Sequence, residues 1–238
     1  MRLRGLIWAL ALGFLAQAAP LHYDLDVTVT SVGDLSGILT LSGIVAGDWQ
    51  ELVFRLYPAG LSPDCLRPLA AASGGEVLEW DQVHPTAFIV PLEASPGQTF
   101  SLTLSFAGEV PELSRTQGYG TYARSPQAMV LAQAYPLLAP WRDGTWLVEP
   151  VFPWGDAVVA EVADYSARVT LPPGWTLVAT GGETQTAPGV YLVGGRTYGS
   201  WRWWPCVDTR KPAWRRGRCR SRGTSSRSTG RPGKPRWR

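Results

Sequence analysis

From residue 22 onward, the chain is dominated by short runs in which polar and apolar residues alternate. In the first run, residues 22–30, every second side chain is apolar, namely Tyr23, Leu25, Val27 and Val29. Successive side chains of a strand point to opposite faces, so this period of two predicts a strand with one buried face. Further strand-like runs occupy residues 37–45, 51–57, 76–83, 87–92, 99–106, 161–171, 176–179 and 190–193.

Turn-forming residues separate these runs. They recur at intervals of about 8 to 12 residues, a spacing typical of β-sandwiches and barrels. Gly47 and Asp48 precede the third run, Pro58 ends it, and Pro172-Pro173-Gly174 joins residues 161–171 to residues 176–179 as a predicted pair. We therefore predict an all-β domain, sandwich-like and antiparallel.

Residues 118–156 depart from this pattern because they are rich in aromatic residues and proline. The segment contains Tyr119, Tyr122, Tyr135, Pro136, Pro140, Trp141, Trp146, Pro150, Phe152, Pro153 and Trp154. Long ordered loops in compact domains usually carry function or cover the edge of a core. Both roles are open from the sequence.

The N-terminus has the features of an export signal. Arg2 and Arg4 precede an uncharged apolar run, and Ala16-Gln17-Ala18 supplies the small residues that signal peptidase requires. The run is about half of the roughly 20 apolar residues that a membrane-spanning helix needs. We predict a signal peptide over residues 1–18, a periplasmic or extracellular location, and no stable membrane insertion after the signal is removed.

Charge divides the remainder into an acidic domain, residues 19–195, and a basic tail, residues 196–238. Met1 to Gly195 holds 8 Arg and 18 acids, a balance of −10, whereas residues 196–238 hold 14 basic residues and Asp208, a balance of +13. The tail has no apolar periodicity, so we predict that it is disordered.

Two interpretations of the basic tail are open. Its arginines and tryptophans suit phosphate and base contacts, but an exported protein rarely meets nucleic acid, and we predict no nucleic-acid partner. The other interpretation is translation of a GC-rich gene out of frame. Cys206 and Cys219 lie in this tail and Cys65 in the acidic domain, and whether Cys206 and Cys219 pair is open.

The chain contains no complete catalytic set. His22 and His84 are its only histidines, whereas a catalytic zinc needs three protein ligands. There is no H-E-x-x-H helix, G-x-S-x-G elbow or Gly-rich phosphate loop. Asp24 and Asp26 share a strand face, as exposed acids commonly do. We predict no catalytic residue and no metal ligand in this chain.

Several motifs resemble the N-terminal β-domain of the aminopeptidase N family of zinc peptidases. The resemblance rests on the Leu-Tyr-Pro at residues 56–58, the run 120–126, the run 129–136 with Gln133, and residues 163–175 followed by Val178-Ala-Thr-Gly181. It covers residues 21–195 and implies a saddle-shaped β-domain. By matching position, Gln133 and Tyr135 are the expected substrate-binding residues, although Tyr135 stands where the family has Glu.

The resemblance implies a parent activity, the metal-dependent removal of N-terminal residues from peptides. The zinc of that family belongs to a catalytic domain whose motifs are absent here. We therefore expect a truncated chain that shapes a substrate cleft, is inactive alone, needs no cofactor itself, and meets peptide substrate only together with a catalytic domain. The alternative is a free-standing exported module that binds glycans or peptides on Tyr135, Trp141, Trp146 and Trp154.

Overall fold

The computed structural model describes residues 21–92, 94–116, 120–151, 158–197, 202–203 and 206–207. Within these residues the chain forms three 3₁₀ helices, Tyr57–Gly60, Pro63–Cys65 and Leu113–Arg115, and nineteen strands. The strands are β1 (Leu21–Val29), β2 (Asp34–Ile44), β3 (Glu51–Arg55), β4 (Arg67–Ser73), β5 (Glu76–Leu78), β6 (Asp81–His84), β7 (Ala87–Pro91), β8 (Thr99–Glu109), β9 (Tyr122–Arg124), β10 (Met129–Ala132), β11 (Leu137–Leu138), β12 (Trp141–Arg142), β13 (Thr145–Trp146), β14 (Ala163–Thr170), β15 (Trp175–Thr176), β16 (Gly182–Ala187), β17 (Val190–Thr197), β18 (Arg202–Trp203) and β19 (Cys206–Val207).

The largest sheet has eight strands in the order β16-β17-β14-β1-β2-β8-β4-β5. Its pairings are antiparallel except between β1 and β14, which run parallel with Leu21 opposite Ala163 and Thr28 opposite Thr170. The first strand of the domain therefore lies in the middle of the sheet, next to a strand that follows it by more than 130 residues.

The alternation along β1 separates a buried face from an exposed face, as predicted. Tyr23, Leu25, Val27 and Val29 are buried, whereas Asp24 and Asp26 are exposed. The sheet thus has one face in the core and one in solvent, as expected for antiparallel sheets with a single covered face.

A four-stranded sheet, β11-β3-β7-β6, contributes to the same core. Phe54 on β3 and Phe88 on β7 stack with their ring centroids 5.2 Å apart, and both are buried together with Leu39 and Phe106 of the large sheet. The predicted all-β, sandwich-like class is confirmed, and no helix among the described residues could cross a bilayer.

Two of the strand predictions are wrong, one in the extent of a strand and one in the pairing of two strands. The run 76–83 divides at Glu79-Trp80 into β5, at the edge of the large sheet, and β6, at the edge of the four-stranded sheet. Trp80 packs against Phe88 with ring centroids 5.8 Å apart and holds the chain where it passes between the sheets. Residues 161–171 and 176–179 form no hairpin, because β14 pairs with β1 and β17, and β15 with β19.

Strand β4 was not expected, because Pro68 and three consecutive alanines obscure its pattern. A bulge between Pro68 and Ala70 lets β4 pair with β8 although proline has no N–H to donate. Close to this bulge, a side chain on Gly108 would place its Cβ 2.0 Å from the Cys65 carbonyl oxygen, so only glycine fits there.

The aromatic and proline-rich segment contains β9 to β13. Residues 131–140 are all buried, so this part of the segment is core rather than a surface loop. The predicted signal peptide, residues 1–18, lies outside the described residues, as does most of the basic tail, of which only β18, β19 and the end of β17 are described.

Candidate functional site

Gln133 lies directly after β10 in an uncommon backbone conformation. Its φ is +53°, in the left-handed region that non-glycine residues seldom adopt, and its side chain is 2% exposed. Such strained positions persist only where the surroundings fix them, and they concentrate at functional sites. The chain turns at Gln133 and stays in the core through Ala134 and Tyr135.

Tyr135 is buried in a cluster of three tyrosine rings. Its ring meets the edges of Tyr23 and Tyr165 at centroid distances of 6.0 and 6.1 Å, and Tyr23 and Tyr165 stack on each other at 4.8 Å. Burial raises the pKa of both the Tyr23 and the Tyr165 hydroxyls. The ring contacts of this cluster hold the segment after Gln133 against β1 and β14.

One hydrogen bond fixes this segment to the first strand. The Leu138 backbone N–H donates to the Tyr23 hydroxyl oxygen at 3.1 Å, and both residues are buried. Leu138 is also held by the four-stranded sheet, since β11 (Leu137–Leu138) pairs with β3. Gln133 and Tyr135 thus lie on a segment that is fixed at its far end.

A second feature of the aromatic segment is a cluster of three indoles, Trp49, Trp141 and Trp146, which we call the indole cluster. Trp49 lies 4.9 Å from Trp146 in a tilted contact, and Trp141 meets Trp146 edge-on at 5.0 Å. Trp141 and Trp146 face each other across the β12–β13 hairpin, whose turn is Asp143-Gly144. Both turn residues have positive φ, as this two-residue hairpin requires.

A groove of about 270 Å³ opens beside the indole cluster. Leu21, at the start of β1, Ile44, at the end of β2, and Val162, just before β14, supply apolar walls. Arg142 and Glu161 also line it and form a two-pronged ion pair, in which Arg142 Nη2 donates to Glu161 Oε2 at 3.1 Å. That hydrogen bond raises the pKa of the Arg142 guanidinium.

The four aromatic residues predicted as a binding platform do not form one surface. Tyr135 is 1% exposed and does not line the groove, whereas Trp141 and Trp146 do and are half-buried. Their rings contact each other edge-to-face, an arrangement that stabilises a core. Trp154 lies outside the described residues. Substrate binding by Gln133 and Tyr135 stays a prediction.

The two histidines lie in different sheets and have local partners. His22, on β1, is 3.4 Å from the Ser166 hydroxyl, and His84, at the end of β6, accepts from the Thr86 N–H at 3.2 Å. Within the described residues, no group of three His, Cys, Asp or Glu side chains could hold a metal ion. These residues do not fit a zinc site.

Arg55 is a buried charge that the sequence pattern did not reveal. It is 2% exposed, donates to the Glu149 carbonyl oxygen, and lies 5.0 Å from the centre of the Tyr57 ring. Burial lowers its pKa. Val53, on the same face of β3, is buried as well, and the Arg55 guanidinium reaches the backbone at Glu149. Only that long-range contact could have identified it.

Among solved structures, the fold of this chain is similar to part of the zinc metallopeptidases called M1. The chain is similar to the M1 zinc metallopeptidase from Deinococcus radiodurans, with a TM-score of 0.51 and 23% identity over 79% of this chain and 42% of that chain. A mutant two-domain M1 zinc metallopeptidase bound to L-tryptophan gives a TM-score of 0.51 and 21% identity, over 79% of this chain and 43% of that chain. No family model matches the chain, and no curated protein matches its sequence.

These likenesses show the fold. The predicted resemblance to the aminopeptidase N family is confirmed in that sense, since the structure has the fold of the corresponding part of these peptidases. The chain spans less than half the length of the solved relatives that it matches.

Proposed function

We propose that this chain acts as the N-terminal, cleft-shaping β-domain of an exported zinc aminopeptidase and is catalytically inactive by itself. The observation that carries the proposal is the likeness in fold to M1 zinc metallopeptidases over 79% of the chain. The backbone of Gln133 supports it, because a non-glycine residue with a positive φ is a strained conformation of the kind that concentrates at functional sites.

The donor set supports the proposed inactivity. Hydrolysis by a metallopeptidase needs a metal that lowers the pKa of a bound water and polarises the scissile carbonyl. The two histidines of the sequence are bound to serine and threonine partners in separate sheets. We propose that the peptide is bound by this domain only when a catalytic domain supplies the metal and the general base.

The first test is an assay of the purified mature chain. Hydrolysis of aminoacyl-p-nitroanilides and of tripeptides is measured before and after zinc is added, and bound zinc is determined by atomic emission. We expect no turnover above buffer and far less than stoichiometric zinc. Zinc-dependent turnover that copurifies with the chain through successive columns would refute the inactivity.

The second test concerns the cleft. Residues 21–195 replace the corresponding β-domain of the Deinococcus radiodurans peptidase, and kcat and KM are measured for a tripeptide. In this chimera Gln133→Asn shortens the side chain while asparagine tolerates the positive φ. We expect KM to rise about two- to tenfold while kcat is retained, because the loss of one neutral hydrogen bond weakens binding by about that factor.

Gln185→Ala is the matched control, because Gln185 is exposed on β16. It should leave KM unchanged. A chimera that binds zinc and unfolds cooperatively, yet shows equal KM for Gln133→Asn and Gln185→Ala, would argue against substrate contact by Gln133.

A further inference from the structure

The groove beside the indole cluster is built from elements that the sheets hold in place. Trp49 lines it and is only 4% exposed, and the absence of a side chain on Gly47 leaves room for Trp141, since a Cβ there would lie 2.5 Å from the Trp141 Nε1 atom. The aliphatic part of the lining consists of Leu21, Ile44, Ala46, Leu138, Ala139 and Val162. Because β1, β2 and β11 carry several of these residues, the groove is formed before any ligand arrives, which lowers the ordering cost of binding.

The Trp141 and Trp146 rings form an angled corner of this groove. Their planes are inclined at 71° with the centroids 5.0 Å apart, and both side chains are half-buried, so part of each indole remains accessible. A flat aromatic guest can meet such rings in offset-stacked or edge-to-face contacts. The groove holds about 270 Å³, slightly less than the range of about 300–1,000 Å³ for drug-sized ligands. Its size therefore suits a single ring with a short polar head.

One positive and one negative side chain lie side by side in this apolar lining. Arg142 donates from Nη1 and Nη2 to the two carboxylate oxygens of Glu161, and from Nη1 to the Trp141 carbonyl oxygen. A guanidinium has about five N–H groups and a carboxylate about four lone-pair sites, so both partners keep free donors or acceptors. The Arg142 and Glu161 side chains are 55% and 30% exposed, which leaves them within reach of a ligand.

We propose that this groove binds a free aromatic amino acid, with its ring in the indole corner, its α-carboxylate on Arg142 and its α-ammonium on Glu161. Charge complementarity selects this occupant, because an α-amino acid carries opposite charges on neighbouring atoms, as the lining does. A ligand with one charge would meet one attracting and one repelling partner. A neutral sugar would meet a lining that is mostly aliphatic and aromatic.

The inference does not depend on the cleft-shaping role proposed above. Gln133 and Tyr135, the residues expected to contact a peptide substrate, do not line this groove. Binding of an amino acid can therefore be measured on this chain alone, without a catalytic domain and without turnover. Failure of the peptidase proposal would leave the result of this measurement unchanged.

The test follows the indole N–H signals of the full chain by NMR, with ¹⁵N-labelled tryptophan, while L-phenylalanine is added. The Trp141 and Trp146 signals are assigned from Trp141→Phe and Trp146→Phe. We expect both signals to shift with a Kd of about 1–10 mM, as for a ligand of about a dozen heavy atoms. Phenylacetate lacks the ammonium and phenethylamine lacks the carboxylate, so each should bind about two- to fivefold more weakly, the range of a partly exposed ion pair. Glycine, which lacks the ring, should cause no shift.

Charge variants separate the two polar contacts. Glu161→Gln should weaken L-phenylalanine and phenethylamine about two- to fivefold and leave phenylacetate unchanged. Arg142→Gln should weaken L-phenylalanine and phenylacetate by a similar factor and leave phenethylamine unchanged. Ala46→Phe, at an exposed position of the lining, should weaken all three ligands by filling the groove. Glu183→Gln, at an exposed position on β16, is the matched control and should bind all three as the wild type does.

Urea unfolding shows whether each variant folds, and the ligand series on the wild-type chain decides the proposal even where a variant does not fold. Equal affinity for L-phenylalanine and for the uncharged N-acetyl-L-phenylalanine amide would overturn the proposal in favour of a purely apolar guest. Shifts of the Trp141 and Trp146 signals with methyl glucoside but not with L-phenylalanine would overturn it in favour of a sugar. The absence of any shift with L-phenylalanine up to its solubility limit would also overturn it.

Discussion

Replacing Tyr23 by Phe tests how the candidate site is attached to the core. The change removes one hydroxyl oxygen and leaves the ring, so stacking on Tyr165 and contact with Tyr135 persist. The lost atom is the acceptor for the Leu138 N–H, a contact 3.1 Å long between two buried residues. The N–H is left without that acceptor inside the core.

The magnitude follows from this geometry. A buried donor that loses its partner costs about 1–3 kcal/mol, whereas no cavity larger than one oxygen atom is created. For a chain of this size, each kcal/mol lowers Tm by about 2–4 °C, so the expected fall lies between about 2 and 12 °C. In urea, the midpoint should fall with the slope unchanged.

The assay is urea unfolding followed by tryptophan fluorescence and by circular dichroism. Tyr191→Phe is the matched control, since the Tyr191 hydroxyl donates to the Trp175 carbonyl at 3.2 Å in a part-buried contact. We expect it to cost less than about 1 kcal/mol. If Tyr23→Phe costs no more than Tyr191→Phe, the aromatic segment is held by ring packing alone and our account of its attachment is wrong.

Two further predictions concern the neighbourhood of β8. Gly108→Ala should destabilise the domain by about 1–3 kcal/mol in the same urea assay, because the new Cβ would lie 2.0 Å from the Cys65 carbonyl oxygen. Gly182→Ala should be nearly neutral, because no atom lies within 4 Å of its Cβ. Equal losses of stability in the two variants would contradict the steric argument. Burial raises the pKa of the Cys65 thiol to about 11. In a chain whose tail cysteines are replaced by serine, we therefore expect a maleimide to label Cys65 very slowly at mildly alkaline pH. Labelling should become fast when urea unfolds the chain. The folded state keeps a thiol proton that the unfolded state loses from about pH 8.5 upward, so the free energy of unfolding should fall as pH rises from about 8.5 to about 11. This free energy should fall less in Cys65→Ala. Rapid labelling of the folded chain would show that the thiol is accessible.

Local pattern carried most of the fold prediction. The alternation in β1, β2 and β8 identifies strands and their buried faces, because a sheet with one covered face imposes a period of two. Where the side-chain pattern is weak, prediction failed for physical reasons. Pro68 hides β4, since its bulge depends on pairing with β8, and the break at Trp80 depends on packing against Phe88.

The sequence allowed the candidate site residues to be named, but it did not indicate their burial or their contacts. Gln133 and Tyr135 were singled out by resemblance, yet nothing local indicates that the chain there is buried and turns through a positive φ. The indole cluster joins Trp49 to residues far along the chain, at positions 141 and 146, and Arg55 is covered by the chain near Glu149. Contacts of this range are decided by the whole fold.

The parallel pairing of β1 with β14 has a consequence for how the domain is made. β1 emerges first during synthesis, but one of its two neighbours in the sheet is complete only at residue 170. Sheets that join such distant segments fold slowly, because the entropy of closing the loop is lost before the contacts form. A chain arrested before residue 163 has no β14 to pair with its central strand, so we expect the large sheet to form only after most of the domain has left the ribosome.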